Sequence, residues 1–201
     1  MIQPPLIWRD LSFNTDGEDV YPPKPASLLL AEVAIKRIGP GERVLDACTG
    51  SGVAGLAVAR YVPNSVVTLA DLAEPALKAA RLHAANNGLS VEVIKSDLYN
   101  AFNPGSYDVV TVHPPAVPYP QGGDWGLSHG MRVATDGGDD GSVLVVRSIV
   151  EARRLLRPGG RLLLLLPHWS NLGKARQALY ETYSTVQELA RLTVEFFPAR
   201  E

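Results

Sequence analysis

Val44-Leu45-Asp46-Ala47-Cys48-Thr49-Gly50-Ser51-Gly52 is the stretch on which the fold turns. Its first half is an apolar run that reads as the end of a buried strand, and Val53–Arg60 behind it carries a helical pattern. Glycines at a strand-to-helix turn let the backbone bend sharply and come close to a ligand at the carboxyl end of a sheet. Gly50-Ser51-Gly52-Val53-Ala54-Gly55 also spells G-x-G-x-x-G, and Asp71 follows about twenty residues on, the spacing of a dinucleotide-binding fingerprint. An NAD-dependent oxidoreductase is therefore one reading of this motif.

Outward from that turn, the same alternation repeats. Strands are predicted at Arg43–Ala47, Val66–Ala70, Val91–Lys95, Tyr107–Val112 and Arg161–Leu166. Helices are predicted at Val53–Arg60, Glu74–Asn87 and Ser142–Leu156. Strand and helix in turn imply right-handed crossovers and a parallel sheet covered on both faces, and the near-continuous apolar runs VLDA, VVTLA and DVVTV suit strands buried on both sides. Pro75 falls at a helix start, Asn87-Gly88 at its end, and Pro158-Gly159-Gly160 turns the chain into the Leu-rich run. After a helix at Asn171–Tyr183, the runs Thr185–Leu189 and Thr193–Phe197 stand too close for a crossover and are expected to pair antiparallel. The expected fold is α/β, a Rossmann-like, mostly parallel sheet of seven strands ending in an antiparallel hairpin. Two segments fit no regular element: residues 1–26, read as an arm or lid over a cleft ahead of a domain at 27–201, and residues 113–141.

Composition narrows the function classes. With 46% hydrophobic and 20% charged residues over 201 positions, the chain has the material for one globular core. A formal net charge of −2 gives no general attraction to polyphosphate, which argues against nucleic acid as the main partner. Cys48 is the lone cysteine, so no intramolecular disulfide forms and a cytoplasmic setting is expected. The N-terminus carries no basic stretch followed by an apolar one, and no run approaches a membrane span, so neither a secretion signal nor a membrane association is expected.

Three features separate a methyl donor from NAD. Asp46 precedes the glycines, where a carboxylate suits the cationic amino group of S-adenosylmethionine (SAM) and would repel a pyrophosphate. Ser96-Asp97-Leu98 follows the third predicted strand and can accept from an adenine amino group, and His113-Pro114-Pro115 closes the fourth.

The successive stretches VLDACTGSG (44–52), LADLAEPALKAARLHAANNG (69–88), SDLYNAF (96–102), YDVVTVHPPAVP (107–118) and ATDGGDDGSVLVVRSIVEARRLLRPGG (134–160) resemble the motifs of the HemK/PrmC-type N5-glutamine methyltransferases, in order. Upstream, Pro23, Lys24, Pro25 and Ser27 match that family's P-R-P-x-T segment. The resemblance covers about residues 20 to 167 and implies the class I methyltransferase fold, SAM as cofactor, S-adenosylhomocysteine as product and methylation of a planar nitrogen on a protein side chain or small molecule. It places Asp46, Cys48, Thr49, Gly50 and Gly52 around the methionine part of the cofactor. Asp71 and Leu72 fall at the ribose, Asp97 and Leu98 at the adenine, and His113, Pro114 and Pro115 where acceptor meets methyl group. The family's N-P-P-Y becomes His113-Pro114-Pro115-Ala116 here, so His113 would accept through a neutral ring nitrogen, and the stacking surface absent at Ala116 would come from Tyr21, Tyr119 or Trp125. The family's helical N-terminal substrate-binding domain has no counterpart, so a short form is expected.

Other functions stay open at this point. His113 as a general base would make an O-methyltransferase, di-proline motifs also serve nucleic-acid bases, and a changed motif fits a non-catalytic SAM-binding subunit of a partner enzyme. A partner subunit or homodimer is compatible with all of these. No metal is expected: Asp136, Asp139 and Asp140 match no metal-loop spacing and read better as a helix cap before Ser142. His83 reads as a surface or helix-packing residue, and Arg153, Arg154, Arg157 and Arg161 as the solvated end of a helix.

Overall fold

The computed structural model describes residues 5–14, 19–120 and 126–192. Five parallel strands form the central sheet: β3 (Arg43–Ala47), β4 (Val66–Asp71), β5 (Glu92–Lys95), β6 (Tyr107–Val112) and β7 (Leu156–Leu164), in spatial order β5-β4-β3-β6-β7. Order reverses between β3 and β6, which creates the crevice where ligands of open α/β sheets bind. The strands alternate between two cores. Val44, Val67, Leu69 and Val109 face the layer of α1 (Pro25–Arg37) and α2 (Val53–Tyr61), together with Ala80 and Ala84 of α3 (Glu74–Asn86). Leu45, Ala47, Ala70, Val110 and Val112 face the opposite layer, where α5 (Val143–Leu155) contributes Ala152 and Leu155. α6 (Leu172–Thr182) packs outside α5, burying Ala175 and Ala178 beside Val145 and Ile149. Both faces being covered is what the unbroken apolar strands require.

The five predicted parallel strands and the helices between them are present, with ends shifted by a few residues. β7 is the most displaced. Tyr107 pairs with Leu156 and Val109 with Arg161, so Arg157–Gly160 bulges out before regular pairing resumes, with Gly159 at φ 80°. The expected C-terminal hairpin differs. Thr185–Leu189 forms no strand, since residues 183–192 make no ladder with the sheet among the described residues, and Thr193–Phe197 lies outside them.

The two segments read as irregular hold structure of their own. β1 (Leu6–Trp8) and β2 (Leu11–Phe13) form an antiparallel hairpin, with Leu11 and Phe13 fully buried against the α1–α3 layer. The hairpin is thereby part of the core, because the helices leave an apolar face that these two side chains fill. α1 begins at Pro25, whose missing N–H costs nothing at a helix start, and ends on Lys36 and Arg37, which suit the negative end of its dipole. A short α4 (His129–Thr135), capped by Ser128, interrupts the 113–141 loop. The arginines of the α5 end are anchored rather than merely solvated. Arg154 donates to the carbonyls of Tyr99 and Phe102, Arg157 to Asp108, and Arg161 to Glu42. Among the described residues, no helix is long and apolar enough to cross a membrane, and no three metal-ligating side chains converge.

Candidate active site

Parallel register sets four strand ends side by side. Lys95 pairs with Asp71, Ala70 with Ala47, and Ala47 with Val112. The residues just beyond therefore stand in a row: Ser96-Asp97 after β5, Asp71-Leu72 at the end of β4, Cys48-Thr49 after β3, His113 after β6. Three inter-strand spacings of about 4.8 Å make this row roughly 14 Å long, the scale of an elongated nucleoside cofactor.

The turn after β3 is held in left-handed geometry, with φ at 50° for Cys48, 55° for Gly50 and 90° for Gly52. Its peptide groups are pinned from several sides. Gly50 N donates to Asp71 Oδ2 at 2.8 Å, Thr49 N to the Ala70 carbonyl at 3.0 Å, and Gly52 N to the Thr49 carbonyl at 2.9 Å. Asp46, only 2% exposed, accepts from Thr111 Oγ1 at 2.6 Å, Thr49 Oγ1 at 2.5 Å and Gly55 N at 3.0 Å. Burial raises its pKa, and these hydrogen bonds oppose the rise. Asp46 thus braces the turn from beneath. Gly55 allows this, because a Cβ there would overlap the Leu69 side chain and stand 3.0 Å from Asp46 Cβ.

Above the turn, a Cβ built on Gly50 would meet nothing within 4 Å, so space for a ligand opens over the backbone. Asp71 spends one oxygen on Gly50 N and the other on Ala73 N, and each carboxylate oxygen retains capacity for a further donor such as a ribose hydroxyl. Leu72 stands 49% exposed beside it, an apolar side chain at a strand end. Asp97 is half exposed and meets Arg147 at 3.4 Å. Leu98 adopts φ 47° and turns its side chain into the core, leaving its backbone to the site. Carboxylates for hydroxyl and amino donors, an apolar side chain between them and a cleared backbone fit SAM. Burial, helped by Asp71, Asp46 and Asp97, holds the Cys48 thiol pKa well above the usual value and so disfavours its thiolate.

On the acceptor side, His113 follows Val112 directly, and Leu165 N donates to the Val112 carbonyl at 3.0 Å, bringing the chain after β7 alongside. Burial lowers the His113 pKa to about 4, so its ring is neutral at physiological pH and offers one acceptor nitrogen. Pro114, Pro115 and Ala116 are buried. The backbone of Ala116 packs on Gly137 and Gly141, where a Cβ would stand 2.7 Å from Ala116 Cα in the first case and 3.2 Å from Ser170 Cα in the second. Loops from three parts of the chain therefore close around the di-proline motif.

Tyr21 lies with Pro22, Pro23, Ser51 and Ala79 around a small cleft beside the glycine turn. Tyr119 is only 4% exposed and its hydroxyl bonds Thr135 Oγ1 at 2.9 Å. It fastens the loop from within. Trp125 lies outside the described residues. The aromatic that sequence reading missed is Trp169, 44% exposed, which borders an open apolar groove of about 430 Å³ with Val117, Pro118 and Pro120. Its signal was available: a tryptophan just past the fifth parallel strand falls at the carboxyl edge of the sheet.

Comparison with known proteins agrees with this geometry. Residues 23–122 match the methyltransferase small domain. The chain is 36% identical to the release factor glutamine methyltransferase of Gloeobacter violaceus, with 96% of this chain and 72% of that one covered. It is 32% identical to the ribosomal protein uL3 glutamine methyltransferase of Xanthomonas campestris pv. campestris, covering 76% of this chain and 51% of that one, so it spans about half to three quarters of these relatives. The solved Thermus thermophilus 16S rRNA N2 G1207 methyltransferase, in complex with AdoMet and guanosine, shares the fold at 22% identity and a TM-score of 0.66, covering 90% of this chain and 45% of that one. The matched domain and these relatives place the parallel sheet with its glycine turn and acidic strand ends among the class I SAM-dependent methyltransferases. Within that class, this chain belongs to the HemK/PrmC-type glutamine methyltransferase family.

Proposed function

We propose that this methyltransferase modifies the side-chain amide nitrogen of a glutamine presented by a protein substrate. The observation that carries the reading is the match between strand order and cofactor order. From β5 to β6 the edge offers Asp97, then Asp71 and Leu72, then the glycine turn, then His113, which suits adenine, ribose, methionine and acceptor in that sequence. Bound SAM would supply the electrophilic methyl group. The remaining work belongs to the chain.

An amide nitrogen is a poor nucleophile, so its N–H groups need acceptors that free the lone pair to point at the methyl carbon. The neutral His113 ring supplies one acceptor, and the carbonyl of Pro114 supplies the second. A ring with a pKa of about 4 is a weak base, which disfavours proton abstraction from a hydroxyl and therefore O-methylation. The relatives named for release factors and ribosomal protein uL3 support a glutamine-bearing protein as acceptor. Trp169, Pro118 and Pro120 border an apolar groove that suits the residues flanking the glutamine, a surface Ala116 does not supply.

Incubation with methyl-labelled SAM and separate preparations of release factors, ribosomal proteins, nucleic acids and small metabolites tests the reading. Label on a glutamine side chain, located by mass spectrometry of the digested protein, is the expected result. Label confined to nucleic acid or metabolites overturns it.

A further inference from the structure

His83 was expected to be a surface or packing residue, yet it is 1% exposed and both ring nitrogens are engaged. Nδ1 lies 2.8 Å from the carbonyl oxygen of Ser51, and Nε2 lies 3.0 Å from the backbone nitrogen of Asn14. A carbonyl only accepts and a backbone N–H only donates, so Nδ1 carries the proton and Nε2 is bare. One neutral tautomer satisfies both contacts.

The two contacts join separate parts of the chain. Ser51 sits between Gly50 and Gly52 at the centre of the cofactor turn, and the peptide that follows it is clamped at both ends: its carbonyl by His83 and its N–H, on Gly52, by the Thr49 carbonyl. Asn14 directly follows β2 of the N-terminal hairpin. That hairpin is also latched to the C-cap of α3, the helix that carries His83, where Ser12 N donates to Asn87 Oδ1 and Asn87 Nδ2 donates to the Ser12 carbonyl, both at 2.9 Å. Phe13 stands edge-on to the His83 ring with centroids 5.4 Å apart.

We infer that His83 is a positioning residue of the cofactor site, holding the glycine turn through its Nδ1–H bond to the Ser51 carbonyl. The N-terminal hairpin closes over Nε2 and fixes the tautomer that makes this bond, and Ser51 orients the peptide beneath the cleared space over Gly50.

Two substitutions separate the links. Asn places a donor near the position of Nδ1, and Gln places an acceptor near that of Nε2, so His83→Asn retains the Ser51 contact and His83→Gln retains the Asn14 contact. S-adenosylhomocysteine affinity by calorimetry should fall about tenfold in His83→Gln and stay within about threefold of wild type in His83→Asn, since an unsatisfied buried carbonyl weakens the turn. Amide exchange at Asn14, followed without ligand, should do the reverse: fast in His83→Asn, slow in His83→Gln. Equal loss of affinity in both variants, in step with their melting temperatures, overturns the inference, and so does wild-type affinity in both. Should neither variant fold, ¹⁵N NMR of the wild-type imidazole decides. An Nδ1–H tautomer whose ¹⁵N resonance moves when S-adenosylhomocysteine saturates the site upholds the inference, and the Nε2–H form, an imidazolium or a resonance unmoved by the ligand overturns it.

Discussion

Between β5 and β3, position is set by the backbone: strand register lines up Asp97, Asp71 and Cys48, positive φ angles shape the turn, and the buried Asp46 locks it by accepting from three donors. Between His113 and Asn171 it is set by side chains and loops: two glycines against Ala116, a hydroxyl pair between Tyr119 and Thr135, and Asp140 joined to Asn171 and Lys174. The first region takes a cofactor common to a whole class of enzymes and can be rigid. The second meets the acceptor and carries what is particular to this chain. Damage to the first should cost folding and cofactor binding together, and damage to the second should cost turnover alone.

The largest effect is expected where the brace is removed. Asp46→Ala leaves Thr111, Thr49 and the Gly55 amide without their acceptor in a buried place, at a cost of about 3 kcal/mol or more of unfolding free energy. Urea denaturation should show this loss, and calorimetry should show no measurable binding of S-adenosylhomocysteine. Intact cofactor affinity in Asp46→Ala would break the comparison, because the turn would then stand without its brace.

Next in size is His113, on the acceptor side. His113→Ala should lose about 2–4 kcal/mol of transition-state stabilisation with cofactor affinity unchanged, as removal of one oriented acceptor does. His113→Asn, which restores an acceptor oxygen, should keep much of the turnover. The pH dependence has a definite sign. The folded pKa of about 4 lies below the ordinary 6.5, so unfolded chains bind the proton first. Stability from the neutral ring is whole above pH 6.5 and is lost as pH falls from there toward about 4. Denaturation across that window should show a shallower slope for His113→Asn than for wild type.

Asp71 sits at the seam of the cofactor row, anchoring Gly50 while keeping room for a ribose. Asp71→Ala should weaken S-adenosylhomocysteine by about 1–3 kcal/mol, the range of a lost charge-assisted hydrogen bond, and should create no affinity for NAD. A calorimetric titration with both ligands checks this, and tight NAD binding by the wild type would undo the assignment of the turn.

The same contrast explains what the sequence disclosed. The succession of parallel strands and helices, the glycine turn and the acidic strand ends were readable because few residue types satisfy positive φ, close backbone approach and burial on both faces. Asp46 was readable as important but not as a brace, since a carboxylate before glycines looks alike whether it faces a ligand or Thr111. The hairpin Leu6–Phe13 escaped because two three-residue strands are too short for a period to show, and α1 because its prolines masked the helix start. Thr185–Leu189 was read as a strand on local propensity, which is a weak guide in so short a run, and it forms no strand. His83 escaped for another reason: its two partners, Ser51 and Asn14, lie 32 and 69 residues away, and no local pattern announces them.

The smallest and most selective effect is expected at Trp169. The indole is 44% exposed, so its removal takes little from the core, and stability should stay within about 0.5 kcal/mol of wild type. It forms no part of the cofactor row, so cofactor affinity should not move either. What changes is the wall of the groove it shares with Val117, Pro118 and Pro120. A protein acceptor that lays a planar amide or an apolar neighbour against that wall loses contact area when Trp169→Ala is made, and KM for the acceptor should rise by the equivalent of about 1–2 kcal/mol. Trp169→Phe keeps a flat apolar face and should recover most of the difference. A fall in kcat with KM unchanged would place Trp169 in the reacting geometry instead, and no change in either would confine the acceptor to the glycine-turn side, where Tyr21 borders the cleft beside Ser51.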